Sequence, residues 1–261
     1  SWLHASEPGA FAARLNARLQ AQPPLTGALA EARAAWSERF RGAQRRLAAL
    51  QDEVLAALPF GEAHAVRQIV NELPSGSLLV LGNSLPLRAV DAFASPRAAQ
   101  VTTLVQRGAN GIDGLVSGAA GIATAGAGPT TLILGDVSFA HDVGGLLLAR
   151  GVSVPLAIVV IDNAGGRIFD TLPLGNAGAA SDAELAFWRT PPGLALDALA
   201  RGYGVRYHLA DNADDLGRAL RAAYAEAGAT LVHVRVSPSS YREAVERLRA
   251  LATGSAARED A

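Results

Sequence analysis

Two short polar segments, each directly after an apolar run, carry residue types that can hold a hard cation. Asp136 follows the run Thr130–Leu134, and Asn163 follows the run Leu156–Ile161. Carboxylate and amide oxygens are donors that suit Mg²⁺, which keeps its remaining positions for water and phosphate oxygens. If both runs are strands of one β-α-β unit, the right-handed crossover brings their ends to the same edge of the sheet. The spacing therefore predicts a Mg²⁺ site, with Mn²⁺ as an alternative ion, that binds a diphosphate. The N-terminus of the intervening helix would favour the phosphate anion.

Glycines mixed with polar residues follow all four apolar runs between Leu78 and Ile161, including the two described above. Ordinary βα turns use the same residue types, so one such turn alone has little weight. Four of them predict a ligand crevice, because ligands of open α/β sheets bind beyond the carboxyl ends of the strands. The four segments are Gly82-Asn83-Ser84, Arg107-Gly108-Ala109-Asn110-Gly111-Ile112-Asp113-Gly114, Gly135-Asp136-Val137-Ser138 and Asp162-Asn163-Ala164-Gly165-Gly166.

Strand and helix patterns alternate after Pro59, and these elements must position the polar turns. The predicted strands are apolar throughout, which is typical of a parallel sheet covered on both faces. The sequence therefore predicts an α/β fold with a doubly wound, mostly parallel sheet and helices on both faces. The predicted strands are Leu78–Leu81, Val101–Val105, Thr130–Leu134, Leu156–Ile161, Val205–Leu209 and Leu231–Val236. The predicted helices are Glu62–Leu73, Pro86–Phe93, Ile112–Ala125, Val143–Arg150, Leu194–Gly202, Ala213–Ala227 and Tyr241–Leu251.

Composition divides the chain into three parts. Residues 1–58 are rich in Ala, Arg, Leu and Glu, and their apolar residues recur at helical spacing, so we interpret them as the helical tail of a middle domain and a linker. Residues 59–252 form the predicted α/β domain, and residues 253–261 a disordered tail. Residues 170–189 are predicted to form a loop, which either orders over a substrate or is a plain connection.

Global composition excludes several classes of function. The 261 residues carry 23 basic and 24 acidic side chains, a balance that argues against a nucleic-acid partner. No apolar run approaches the ~18 residues of a membrane span. The absence of cysteine removes disulfides and suits a reducing compartment, so we expect a cytoplasmic protein. The chain begins at Ser1 and contains no methionine, from which we expect the back part of a longer protein.

The segments that contain Asp136 and Asn163 resemble a known cofactor signature. Gly135-Asp136-Val137, then 24 residues, then Asp162-Asn163 is similar to the thiamine-diphosphate motif, written as glycine-aspartate-glycine, a spacer and asparagine-asparagine. Val137 and Asp162 depart from that motif. Together with the flanking turns, the segment from about Phe60 to Val236 resembles the C-terminal part of the 2-succinyl-5-enolpyruvyl-6-hydroxy-3-cyclohexene-1-carboxylate synthase (MenD) family. The resemblance implies the thiamine-diphosphate-binding fold.

By this resemblance, the chain supplies one half of a cofactor and substrate site. Mg²⁺ would be bound by the side chains of Asp136 and Asn163 and by the carbonyl of Gly165. The residues implied in cofactor binding are Ile112, beneath a bent cofactor, and Gly135, Asp136, Val137, Ser138, Asn163, Gly165 and Gly166. The residues implied in substrate binding are Ser84, Arg88 and Arg107, whose polar groups suit carboxylates, and Ile168 and Phe169, which form an apolar wall.

The same resemblance implies the reaction and the partners. The family decarboxylates 2-oxoglutarate and adds the resulting succinyl carbanion equivalent to isochorismate, in menaquinone biosynthesis. The cofactor is the electron sink. We expect a homo-oligomer with the active site at a subunit interface. The activating glutamate is expected in an N-terminal domain, so no catalytic residue is assigned here. The chain alone should bind Mg²⁺ and cofactor weakly or not at all, and should not turn over.

Three other interpretations compete with this one. Another thiamine-diphosphate enzyme, of the acetolactate or decarboxylase type, would not need Arg88 and Arg107 if its substrate were neutral. A non-catalytic oligomerisation module of the same fold would bind no cofactor. A nucleotide-binding Rossmann protein is disfavoured, because no Gly-x-Gly-x-x-Gly follows the first strand and the chain has no lysine for a phosphate loop.

Overall fold

The structure is a computed structural model that describes residues 7–95, 100–106, 111–126, 128–172 and 181–259. The chain divides into two compact units, Ser1–Ala48 and Ala49–Ala261. This boundary lies inside one long helix, upstream of the change in composition at Pro59.

The first unit is helical. Helix α1 spans Pro8–Gln20, and helix α2 spans Gly27–Ala57 and continues into the second unit. The carboxylate of Glu7 caps α1 by accepting hydrogen bonds from the N–H groups of Gly9, at 2.9 Å, and Ala10, at 2.7 Å. The helical pattern predicted for this part of the chain is therefore present.

The second unit is built on a parallel sheet. The strands are β1 (Leu78–Leu81), β2 (Thr102–Val105), β3 (Thr130–Gly135), β4 (Pro155–Asp162), β5 (Arg206–Ala210) and β6 (Gly228–Arg235). Among the described residues they form one six-stranded sheet in the order β2-β1-β3-β4-β6-β5, and every neighbouring pair is parallel. The doubly wound fold predicted from the sequence is confirmed.

Helices cover both faces of this sheet. The remaining helices are α3 (Glu62–Glu72), α4 (Leu85–Phe93), α5 (Leu115–Ala125), α6 (Asp136–His141), α7 (Leu146–Ala149), α8 (Asp182–Arg189), α9 (Leu196–Tyr203), α10 (Ala213–Ala225) and α11 (Ser240–Glu259). One core contains residues of α3, α4, α10 and α11, and the other contains residues of α5, α6, α7 and α9. In β4, Val159 belongs to the first core, whereas Ile158 and Val160 belong to the second. Such a strand is buried on both faces, which explains its uninterrupted apolar run.

The connection between β3 and β4 differs from the single helix predicted over Val143–Arg150. It consists of α6, a 3₁₀ turn at Val143–Gly145, and the short α7. The Asp142 carboxylate accepts hydrogen bonds from the backbone N–H of Ser117, at 2.7 Å, and from its hydroxyl, at 2.9 Å. A Cβ on Gly145 would lie 2.7 Å from the same backbone nitrogen. The close contact with α5 therefore interrupts the helix.

Two segments predicted to lack regular structure are partly helical. Of residues 170–189, the first two end a 3₁₀ helix that spans Arg167–Thr171, and α8 begins at a capping box between Ser181 and Glu184. Helix α11 continues to Glu259, past the predicted start of a disordered tail. No helix among the residues that the structure covers is long and apolar enough to span a bilayer.

Candidate cofactor site

The ends of β3 and β4 bring the two predicted metal-binding side chains to one edge of the sheet. The strands are parallel neighbours, with Gly135 opposite Ile161. Asp136 directly follows the end of β3, and Asn163 directly follows the end of β4. Both residues are buried, at 3% and 6% exposure.

The Asp136 carboxylate is tied to the turn that follows β4. Its Oδ2 accepts a hydrogen bond from the N–H of Gly165 at 2.7 Å, and its Oδ1 accepts one from the N–H of Val137 at 2.9 Å. Burial raises the pKa of Asp136 above its usual value, because the ionised form is poorly solvated there. A bound cation would compensate that buried charge.

The Asn163 side chain is oriented by a residue that the sequence analysis did not single out. Its Nδ2 donates a hydrogen bond to Glu62 Oε2 at 3.1 Å. Asn163 Oδ1 and Glu62 Oε1 are both buried, and neither has a hydrogen-bond partner in the part of the chain that the structure describes. Burial raises the pKa of Glu62 to about 7. The sequence did indicate that Glu62 is buried, because Glu62 lies on the apolar stripe of α3 with Val66 and Ile69.

The turn after Asn163 requires glycine. Gly165 has φ +115°, and a Cβ there would lie 2.4 Å from the carbonyl oxygen of Arg189, at the end of α8. The N–H of Gly166 donates to that same carbonyl at 2.6 Å. The end of α8 thus packs directly on the predicted metal-binding turn.

Charged side chains also contact the turn that follows Asn163. Arg167 Nε donates to the carbonyl oxygen of Asn163 at 3.1 Å. Asp170 pairs with both Arg167, at 3.4 Å, and Arg189, at 2.8 Å. The three charged residues are largely buried and join the 3₁₀ helix to α8.

Asp162, which departs from the family motif, has its own set of partners. Its Oδ2 bonds to His233 Nε2 at 2.9 Å, and its Oδ1 accepts from the N–H of Ala164 at 3.1 Å. His233 Nδ1 bonds in turn to the hydroxyl of Tyr207 at 2.9 Å. The hydrogen bond with His233 holds the pKa of Asp162 below its usual value.

A cavity of about 810 Å³ adjoins these turns. Eight of the predicted site residues line it: Ser84, Arg88, Ile112, Val137, Ser138, Gly166, Ile168 and Phe169. It is also lined by Asn83, Leu87, Asp91, Gly111, His141 and Thr190. Gly135, Asp136, Asn163 and Gly165 are not in its lining, and Arg107 falls outside the described residues.

Two side chains organise the cavity wall near β1. Arg88 is exposed, and its Nη1 donates to the carbonyl of Ser84 at 2.9 Å. Asn83 Nδ2 donates to the carbonyl oxygens of Gln106 and Gly111. Asn83 therefore bridges the two described residues that flank segment 107–110.

The donors at the sheet edge fit a Mg²⁺ ion. Asn163 offers a buried oxygen with no partner among the described atoms, next to a buried carboxylate and a glycine turn. Within the described ranges, no three His, Cys, Asp or Glu residues cluster as metal ligands. That finding does not conflict with the site, because the predicted set contains one carboxylate, one amide and one backbone carbonyl.

Comparison with known proteins identifies a thiamine-pyrophosphate-binding domain. Residues 91–234 match the family model described as thiamine pyrophosphate enzyme, C-terminal TPP binding domain. The chain is 42% identical over 224 residues to a 2-succinyl-5-enolpyruvyl-6-hydroxy-3-cyclohexene-1-carboxylate synthase of Sorangium cellulosum. The matched segment covers 84% of this chain and 36% of that protein. A protein of the same name from Shewanella halifaxensis is 38% identical over 189 residues, covering 72% of this chain and 32% of that protein.

A solved structure supports the fold. A Mycobacterium smegmatis chain described as a thiamin diphosphate-dependent enzyme superposes with a TM-score of 0.52 at 20% identity, over 69% of this chain and 32% of that one. The present chain spans only about a third of the length of the curated relatives above. Since the family model covers more than half of its residues, the chain belongs to the thiamine pyrophosphate enzymes.

Proposed function

We propose that the chain is the C-terminal part of a thiamine-diphosphate- and Mg²⁺-dependent synthase of menaquinone biosynthesis. The complete enzyme would release carbon dioxide from 2-oxoglutarate and join the remaining four-carbon unit to isochorismate. The main support is the buried Asn163 oxygen, which has no partner among the described residues and lies at the same sheet edge as the Asp136 carboxylate. The names of the curated relatives support this type of reaction.

Each group in the site has a proposed role toward the cofactor. Asp136 and Asn163 would hold Mg²⁺, or Mn²⁺, through their side chains, and Gly165 through its carbonyl. Ser138 would bind the diphosphate, and Ile112 would support the organic part of the cofactor from the cavity wall. Bound thiamine diphosphate supplies the electron sink for decarboxylation. The protein's contribution is to orient the reacting groups and to exclude water.

The proposed substrates carry carboxylates, which Arg88 in the cavity lining could bind. Arg88 has a planar guanidinium that can bind a carboxylate through two hydrogen bonds. Ser84 lies one turn before it, and Arg107 is proposed to join them. Ile168 and Phe169 also line the cavity and give it apolar surface. Phe169 is packed against Trp188, with ring centroids 5.6 Å apart, so this wall is partly preformed.

The complete site would need a second half. We propose that a glutamate from an N-terminal domain activates the cofactor at a subunit interface of a homo-oligomer. No residue of the present chain is therefore assigned a catalytic role. The isolated chain should bind Mg²⁺ and cofactor weakly or not at all and should not turn over. A turnover rate on the isolated chain equal to that of a complete enzyme would contradict this expectation.

The test uses a fusion of this chain to the N-terminal region of the Sorangium cellulosum relative that precedes the matched segment. The expected result is carbon dioxide release from 2-oxoglutarate that requires thiamine diphosphate and Mg²⁺. The Asp136→Ala fusion should fall to background, whereas the Glu72→Gln fusion, changed at the far end of α3, should retain the rate. A folded fusion that neither binds thiamine diphosphate nor releases carbon dioxide would refute the proposal and favour a non-catalytic module.

Arg88 and Arg107 distinguish this function from that of an acetolactate-type enzyme or a simple decarboxylase. An ion-paired hydrogen bond to a substrate carboxylate contributes ~1.5–3 kcal/mol, which corresponds to a loss of about 10- to 100-fold in affinity. Arg107→Ala in the active fusion should therefore raise KM for 2-oxoglutarate by at least about tenfold. An unchanged KM would favour a substrate without the second carboxylate.

A further inference from the structure

Glu62 occupies an unusual place for a charged residue. It is the first residue of α3 and yet is 1% exposed. Its backbone is fixed from outside the helix, because its N–H donates to the hydroxyl of Ser240 at 3.2 Å. A Cβ on the preceding Gly61 would lie 2.6 Å from Ser240 Cβ, so the two segments are in close contact. The backbone position of Glu62 is therefore set by contacts between α3 and α11.

The hydrogen bond between Glu62 and Asn163 determines which end of the Asn163 amide faces α3. A carboxylate can only accept hydrogen bonds, whereas an amide donates through its nitrogen and accepts through its oxygen. Glu62 Oε2, 3.1 Å from Asn163 Nδ2, therefore selects the orientation in which the amide nitrogen faces α3. In that orientation the amide oxygen is left buried and without a partner among the described residues.

We propose that Glu62 is a positioning residue that fixes the Asn163 amide so that its oxygen is presented to the divalent cation. This inference rests on the proposed function, since it needs a cation at the turn. The energetic basis is general. A flexible amide must lose rotational freedom when it binds a metal, and a second partner fixes it beforehand. Partners of this kind typically change metal affinity by about 10- to 100-fold when they are removed.

Two substitutions separate orientation from other effects of Glu62. Glu62→Ala removes the acceptor altogether, so it should weaken metal binding by about tenfold or more. Glu62→Gln keeps an acceptor of the same size but adds a donor, which can also bind an inverted Asn163 amide. Its loss should therefore be smaller. Glu72→Gln is the matched control, because it removes the same charge from the other end of α3, where the carboxylate accepts from Gln68.

The measurement is Mn²⁺ affinity by electron paramagnetic resonance, with thiamine diphosphate present, on the fusion to the Sorangium cellulosum N-terminal region described above. A second readout needs no metal: the side-chain amide protons of Asn163, followed by ¹⁵N NMR, should be slow to exchange in the wild-type chain and fast in Glu62→Ala. Wild-type affinity in a folded Glu62→Ala fusion overturns the inference and leaves the proposed function intact. Absence of Mn²⁺ binding to the otherwise wild-type fusion overturns the metal site itself, and the inference with it.

Discussion

Glu62→Gln should stabilise the metal-free protein at alkaline pH and leave its stability nearly unchanged in acid. In the folded chain, burial raises the pKa of Glu62 from the ordinary 4.5 to about 7. The folded state therefore binds this proton more tightly than the unfolded state does. As the pH rises from about 4.5 to about 7, ionisation of Glu62 removes stability. Above about pH 7 the loss is complete and constant.

The size of this effect follows from the two pKa values. Each tenfold difference in proton affinity between the folded and unfolded states corresponds to ~1.4 kcal/mol. The rise from 4.5 to about 7 is therefore worth about 3 kcal/mol at pH 8, and well under half of that at pH 5. Glutamine has the shape of the protonated acid and no charge, so Glu62→Gln should recover about 3 kcal/mol at pH 8.

The assay is urea unfolding with a metal chelator at pH 5 and pH 8, followed by circular dichroism. The free energies of unfolding of wild type and Glu62→Gln should differ much more at pH 8. Glu72→Gln controls for the loss of one negative charge from α3, and its effect should not change between the two pH values to the same degree. A Glu62→Gln chain that is less stable than wild type at pH 8 would refute the argument that the ionised carboxylate is poorly compensated.

Two further substitutions test the packing of the site by urea unfolding. Gly165→Ala should destabilise the fold by about 2–4 kcal/mol, because its Cβ would approach the Arg189 carbonyl to 2.4 Å at φ +115°; Gly202→Ala, where nothing lies within 4 Å of a Cβ, should instead be neutral or stabilise by up to ~1 kcal/mol. Asp142→Ala should cost about 2 kcal/mol, because two hydrogen bonds to Ser117 between α5 and the β3–β4 connection are lost. An unchanged stability in either case would show that the turn or the connection adapts at no cost.

The strands could be predicted closely because their signal is local. β1 has the predicted bounds, and β4 extends the predicted run by one residue at each end. The β3–β4 connection was predicted less well, since its helix is broken by a contact with Ser117 on α5, a residue distant in sequence. The Ser181 and Glu184 pattern is typical of a capping box at the start of a helix, but the small residues before it favoured the prediction of a loop.

The position of the two proposed metal-binding side chains could be predicted because chain connectivity fixes where strand ends meet. Asp136 and Asn163 needed only the two apolar runs and the crossover between them. Glu62 could not be found in the same way, because it precedes Asn163 by 101 positions and reaches it across the packing of α3 on the sheet. Its place on an apolar stripe indicated burial, but no pattern in the sequence indicated what it would face.

The hydrogen bonds of Asp162 explain how the turn accommodates this departure from the family motif. Asp162 introduces a charge next to Asn163, yet that charge is shared between the Ala164 N–H and His233, which Tyr207 holds from β5. These bonds fix the turn from β6, whereas the Asp136 carboxylate fixes it from β3 through the N–H of Gly165. Because His233 and Tyr207 lie on strands and Asp136 begins a helix, the oxygens of the turn that are proposed to bind a cation are held in place in the metal-free chain. Such preorganisation reduces the conformational entropy that a bound metal must otherwise overcome.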